Sequence, residues 1–217
     1  MKTEGADPRL QGLYAITDPV LCANSLLADA RAAIEGGIRL LQYRNKSASR
    51  AQQQAEAAEL SALCHEHRIT FLVNDDPRLA KQVDADGVHL GQQDGAIQPA
   101  RDLLGADKII GISCNNRFDD ALEAQRQGAD YVAFGRFYSS HTKPGAPQAS
   151  PDLLQQAQQV LILPTVAIGG ITPQNAPPLL EAGAQMLAVI HGLFGQRDVR
   201  SAAQRYAAVL QPYTIGQ

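Results

Sequence analysis

The chain has 217 residues, 45% of them hydrophobic, with 19 Lys and Arg against 22 Asp and Glu for a formal net charge of −3. That is enough apolar material for one sizeable core, and domains of this length are common among α/β barrels. The slight acidity argues against a nucleic-acid coat or a membrane-surface protein, which carry clustered basic patches, so any anion site has to be local.

The first predicted strand is "GLYAITD" (12–18), after an 11-residue N-terminal extension without an apolar targeting core. "IEGGIRLLQYR" (34–44) ends a helix, turns on glycine and enters a second strand. Ser49 then opens a stretch with helical spacing (49–67), and "ITFLVND" (69–75) is the third strand. "VDADGVHLGQ" (83–92), "KIIGIS" (108–113) and "RQGADYVAFGR" (126–136) carry the fourth to sixth, with a helical stretch at 118–128. "PTVAIGG" (164–170) and "EAGAQMLAVIHG" (181–192) carry the last two. Strands alternating with helical patterns imply parallel βαβ units. Eight such units fit a single (β/α)8 TIM barrel over 1–217, with a core at about 12–210. Cys22, Cys64 and Cys114 form no CxxC pair, so neither a zinc site nor a disulfide frame is expected. A cytoplasmic location fits, no apolar run is long enough for a membrane span, and a homo-oligomer remains compatible with the sequence.

In such barrels the chemistry sits at the C-terminal ends of the strands and the other face serves stability. Asp86 and Asp130 precede strands and read as turn or capping residues. Asp75 and Asp94 follow strands three and four. They either cap loops or hold a divalent cation such as Mg2+, which takes one or two carboxylates together with substrate phosphates. Gln42, Arg44 and Lys46 recur at every second position from the end of strand two, sharing a side with Leu40. Buried Arg and Lys are rare unless paired, so this end either leaves the core or points at an anion. Asn74 and Lys143 join the same rim. Arg offers phosphate a planar fork and Lys a point charge. The loops after strands seven and eight, "AIGGI" and "VIHG", are where such barrels often bind phosphate, and Gly169 and Gly170 would let backbone N–H groups come close to it. His89, mid-strand, reads as an interior histidine, and Ser113 has no hydrolase partners in view.

The set "YAITD", "LQYRNK", "VNDD", "DGVHLGQQD", "GIS", "ADYVAFG…HTK" and "AIGGI" resembles the thiamine-phosphate synthase (thiamine-phosphate pyrophosphorylase) family, in one order from Gly12 to Gly192. The resemblance implies an enzyme that joins 4-amino-2-methyl-5-pyrimidinylmethyl diphosphate to 4-methyl-5-(2-phosphoethyl)thiazole and releases pyrophosphate, with Mg2+ as cofactor and these small molecules as its partners. It implies that Gln42, Arg44, Lys46, Asn74 and Lys143 hold the pyrimidine diphosphate, and that Asp75 and Asp94 hold the metal. Ser113 would approach the pyrimidine. Ser140, Thr142, Gly170, Ile190 and His191 would serve the thiazole phosphate. The reaction implied is dissociative, with Arg44, Lys46, Lys143 and Ser113 at its centre. Three residues depart from the family's usual pattern: Arg136 for proline, Ser140 for threonine and His191 for serine. A thiazole tautomerase on the same scaffold, or a sensor that binds thiamine phosphate without turnover, would not need the complete diphosphate and metal set. The long loop 135–150 reads as a lid.

Overall fold

The computed structural model describes residues 7–22, 26–92, 95–139 and 147–213. Eight strands form a closed, all-parallel barrel in chain order: β1 (Gly12–Ile16), β2 (Leu40–Tyr43), β3 (Thr70–Asn74), β4 (Gly87–Leu90), β5 (Ile109–Asn115), β6 (Tyr131–Gly135), β7 (Thr165–Ile168) and β8 (Met186–Val189). Strand β8 closes the ring on β1, pairing Tyr14 with Ala188. The helices between them are α1 (Leu26–Glu35), α2 (Arg50–His67), α3 (Pro77–Gln82), α4 (Ile97–Leu104), α5 (Phe118–Arg126), α6 (Pro151–Val160) and α7 (Pro177–Glu181). After β8 come a four-residue helix, α8 (His191–Phe194), and then α9 (Val199–Leu210). The single TIM barrel expected from the sequence is the fold observed.

Local chemistry sets the helix starts. Ser49 caps α2, its hydroxyl accepting from the Gln52 amide, and Asp76 caps α3 ahead of Pro77 by accepting from Leu79. Asp198 does the same for α9. Helix α2 is rich in Gln and Ala, yet Ala57, Leu60, Ser61 and Cys64 recur at helical spacing and form its buried stripe.

Strand alternation divides the core in two. One set of side chains, including Tyr14, Leu40, Leu72, Ile109, Tyr131, Val166 and Met186, fills the barrel interior. The other, including Leu13, Leu41, Phe71, Val88, Val132 and Leu187, packs between strands and helices. Gly111 is where the interior is tightest, since a Cβ there would lie 1.9 Å from Cζ of Tyr131. All three cysteines are free and buried; burial pushes the Cys22 thiol up to about 11 and those of Cys64 and Cys114 to about 12. No described helix is long and apolar enough to cross a membrane.

The N-terminal face shows one device three times. Asp86 donates its backbone N–H to Phe71 O, and its carboxylate accepts from Phe71 N at 2.8 Å. Asp130 and Ile110 repeat this, also at 2.8 Å. Gln185 repeats it with Thr165, at 2.7 Å. In each case the residue just before an even strand closes a two-bond ring on the start of the preceding odd strand, satisfying an N–H the ladder leaves over. The capping role expected for Asp86 and Asp130 is thus what their hydrogen bonds perform.

Asp130 also accepts from Arg101 Nη2 at 2.6 Å, with its side chain only 5% exposed. Removing one partner of a buried pair strands the other, so Asp130→Ala is expected to cost about 3 kcal/mol in denaturant unfolding. Lys108→Ala, which breaks a pair with the 81%-exposed Asp84 and leaves the left-handed backbone of Asp84 (φ +50°) as it is, should leave the midpoint nearly unchanged. Equal effects would show that the reciprocal clamp does not stabilise the barrel floor.

Candidate active site

The C-terminal mouth of the barrel opens into a cavity of about 380 Å3. Gln42, Arg44, Asn74, Ser113, Gly170, Ile190 and His191, all singled out from the sequence, line this one space. Ile16, Ala133, Ile168, Ala188 and Val189 add apolar wall, and Arg136 and Ser139 reach it from the loop after β6. Apolar walls with a few convergent polar groups suit a flat ring carrying an anionic group.

Strand β2 delivers the first part. Gln42 is buried in the interior, as alternation from Leu40 requires. The strand ends at Tyr43, so Arg44 and Lys46 stand in the loop beyond it. Arg44 is half-buried, and its backbone N–H donates to Thr17 Oγ1 at 2.8 Å. Lys46 reaches outward to Asp75, with Nζ 2.6 Å from the carboxylate. Glu56, from α2, holds this loop in place. It accepts from Tyr43 OH at 2.7 Å, Asn45 Nδ2 at 3.0 Å and Gln52 Nε2 at 2.7 Å. Asn45 in turn accepts from Ser47 Oγ and Ala48 N. Burial alone would raise the Glu56 carboxyl, but the hydrogen bonds from Tyr43, Gln52 and Asn45 outweigh it and hold it below its ordinary value of 4.5.

Asp75 follows β3 with φ at +63°, a left-handed turn that Asp tolerates, and its N–H donates to His89 O at 2.8 Å. Its carboxylate is a hard oxygen donor at the rim, in keeping with Mg2+ chemistry. Among the described residues no cluster of three or more His, Cys, Asp and Glu side chains gathers for a metal. Asp94, the other expected ligand, lies outside the described residues, as do Ser140, Thr142, Lys143 and the rest of 140–146 at the centre of the expected lid.

Gly169 and Gly170 have φ of +105° and +64°. Chain packing alone demands glycine here, since a Cβ would lie 2.3 Å from Cβ of Arg136 at the first and 2.2 Å from Ser139 O at the second. Asn175 pins Gly170 O at 3.1 Å, and Tyr138 OH donates to Asn175 O at 2.7 Å. His191 opens α8 with its side chain exposed. Gly192 lies so close to the Tyr206 hydroxyl that a Cβ would come within 2.2 Å of it.

Below the cavity floor the interior is polar along one line. Gln42 Nε2 donates to Tyr14 OH at 2.5 Å, and Tyr14 and Tyr131 hydroxyls lie 2.9 Å apart. Tyr131 OH is 2.8 Å from His89 Nδ1, and His89 Nε2 is 2.9 Å from Ser113 Oγ. Burial holds both tyrosine hydroxyls well above the usual phenol range, so they stay protonated. His89 is the interior histidine expected. Sequence reasoning passed over Tyr14 and Tyr131; the signal was tyrosine at interior-facing strand positions, where a hydroxyl needs a partner.

A family model described as thiamine monophosphate synthase matches residues 13–193. The thiamine-phosphate synthase of Alcanivorax borkumensis is 55% identical over 207 residues, covering 94% of this chain and 95% of that protein. That of Nitrosococcus oceani is 50% identical over 198 residues, 91% of each. Among solved structures, the thiamine phosphate pyrophosphorylase of Pyrococcus furiosus superposes with a TM-score of 0.87 at 33% identity, covering 96% of this chain and 98% of its own. The geranylgeranylglyceryl phosphate synthase of Thermoplasma acidophilum, at 16% identity and a TM-score of 0.68 over 93% and 94% of the two chains, shares the fold alone.

The Glu56 anchor gives a pH-dependent expectation. A carboxyl lowered in the folded state adds stability that is present above its unfolded value and lost as pH falls through the folded one. Glu56→Gln should therefore melt below the parent protein at neutral pH. The gap should close once pH drops under the ordinary carboxylate range. A gap that stays constant in thermal melts down to acid pH would mean the carboxylate charge plays no part in holding this loop.

Proposed function

The chain belongs to the thiamine monophosphate synthase family, and from that premise we propose that it joins 4-amino-2-methyl-5-pyrimidinylmethyl diphosphate to 4-methyl-5-(2-phosphoethyl)thiazole, giving thiamine phosphate and pyrophosphate. The observation that carries this reading is one cavity lined by Gln42, Arg44, Asn74 and Ser113 on one side and by the Gly169–Gly170 and Ile190–His191 turns on the other. Two anionic substrates need two such walls.

In this reading Gln42 and Ser113 orient the pyrimidine, and Asn74, Arg44, Lys46 and Lys143 receive its diphosphate. The Arg44 guanidinium presents a fork to two phosphate oxygens, and the lysines add point charges. Gly170 and the backbone at Ile190 and His191, together with Ser140 and Thr142, hold the thiazole phosphate. Mg2+, held by Asp75 and Asp94, would neutralise charge on the diphosphate oxygens. The C–O bond to the diphosphate breaks, and the thiazole nitrogen captures the pyrimidinylmethyl carbon. Arg44, Lys46 and Lys143 stabilise the charge that gathers on the leaving group. No proton has to be removed from carbon, so the residues need only position and stabilise. The apolar wall of Ile16, Ile168 and Ala188 limits water around the reactive carbon.

Purified protein incubated with both substrates and Mg2+ should yield thiamine phosphate and pyrophosphate in equal amounts, and excess EDTA should stop it. Absence of thiamine phosphate under these conditions would overturn the assignment, and undiminished turnover in EDTA would remove the metal from it. Arg44→Ala should lower the single-turnover rate by roughly 10²–10³-fold with the fold intact by circular dichroism. A parental rate would make Arg44 structural.

A further inference from the structure

The interior polar line ends at Gln42 and Ser113, which line the cavity together with His89, and the count of hydrogens along it gives it a direction. A phenol has one hydrogen to donate. Tyr14, which is 1% exposed, already accepts from Gln42, so its own hydrogen goes to the Tyr131 oxygen. With Gln42 donating, any other arrangement buries an O–H with no acceptor at hand and incurs its full desolvation cost. Tyr131 then donates to His89 Nδ1, which has to be the bare nitrogen. The imidazole is therefore neutral, protonated on Nε2, and donates to Ser113 Oγ. The Ser113 hydrogen is left to turn toward the cavity.

Tyr14, Tyr131 and His89 can each donate or accept at either side, but not in both senses at once. While the imidazole is neutral, reversing one bond reverses all of them, so a Gln42 amide that turned its oxygen to Tyr14 would make Ser113 an acceptor from the ligand. We propose that Tyr14, Tyr131 and His89 are positioning residues that couple Gln42 to Ser113 through the barrel interior and fix Ser113 as a hydrogen-bond donor to the substrate. The atom set against Ser113 is then an acceptor, an in-plane ring nitrogen with a free lone pair, and a ring presenting N–H at that point is disfavoured. An aminopyrimidine offers such a nitrogen. The identity of the ring rests on the function proposed above, whereas the direction of the chain of hydrogen bonds does not.

Two measurements test this, and only the second needs turnover. In the free, full-length protein labelled with 15N-histidine, the His89 resonances should show a pyrrole-type Nε2 and a pyridine-type Nδ1. They would be assigned by single replacement of the other four histidines. Tyr131→Phe removes the donor to Nδ1 and should shift His89 toward the other tautomer or a mixture. A His89 carrying its proton on Nδ1, an imidazolium at neutral pH, or a spectrum untouched by Tyr131→Phe would overturn the proposal; should that variant not fold, the parental spectrum alone decides the direction. In the second measurement, the losses in kcat/KM from Gln42→Ala and Ser113→Ala should combine to less than their product in the parent and multiply freely in a Tyr131→Phe background. Free multiplication in both backgrounds would sink the coupling. If the parent makes no thiamine phosphate, the functional reading fails while the histidine spectrum still decides the relay.

Discussion

A polar atom inside an apolar barrel has to find a partner there, and that constraint organises this molecule. The interior is floored by Leu40, Leu72, Ile109, Val166 and Met186. Above that floor Tyr14 and Tyr131 bring in hydroxyls, and each is matched within the barrel. Their rings meet edge to face, with centroids 6.1 Å apart, and Tyr131 lies against the His89 imidazole at 5.6 Å. The space comes from Gly111, which has no side chain to contest the Tyr131 ring. Apolar packing, a directed line of hydrogen bonds and the mouth of the cavity are therefore successive layers of one interior. Among the described side chains only Ser61 Oγ is buried without a partner, and it sits on α2, away from this line.

The two rims use the same residue types for opposite ends. At the N-terminal face, the carboxylates of Asp86 and Asp130 and the side-chain amide of Gln185 each close a ring with backbone. At the C-terminal face Asp75 takes a left-handed turn and meets an ammonium group from a neighbouring loop. An aspartate bound to a backbone N–H is committed to the fold, and one bound to an exposed lysine can change partners. The division of stability and chemistry between barrel faces thus has a concrete form in these hydrogen bonds.

All eight strands were legible because period-two alternation and glycine turns repeat eight times, and each repeat supports the others. The interior positions of Gln42 and His89 followed from alternation as well. Lys46 did not, because β2 ends at Tyr43 and strand periodicity says nothing about a loop; its ion pair with Asp75 depends on where α2 and Glu56 hold that loop. The glycines after β7 were legible as special but not for the full reason. Proximity to an anion was the reading available from sequence, whereas contact with Arg136 and Ser139 comes from a loop that is distant in sequence. Tyr14 and Tyr131 were missed for a similar reason. Single strands show that each points inward, and only the register of β1, β4, β5 and β6 shows that their hydroxyls meet His89 and one another.

The charges at the mouth fit this division of labour. Lys46 is 57% exposed and Asp75 22%, so their pair lies in high dielectric and contributes little to stability. A weak pair suits a site proposed to receive a diphosphate with its counter-cation. Asp75 could turn to the cation and Lys46 to the anion without a large cost of separation, and neither charge stands bare beforehand. Arg44 differs: its backbone is fixed by Thr17, and its loop by Glu56 and Asn45, so its side chain starts toward the cavity from a held backbone. A held backbone at Arg44 beside exchangeable charges gives orientation to one group and adaptability to the others, and orientation is what the proposed bond cleavage would need most.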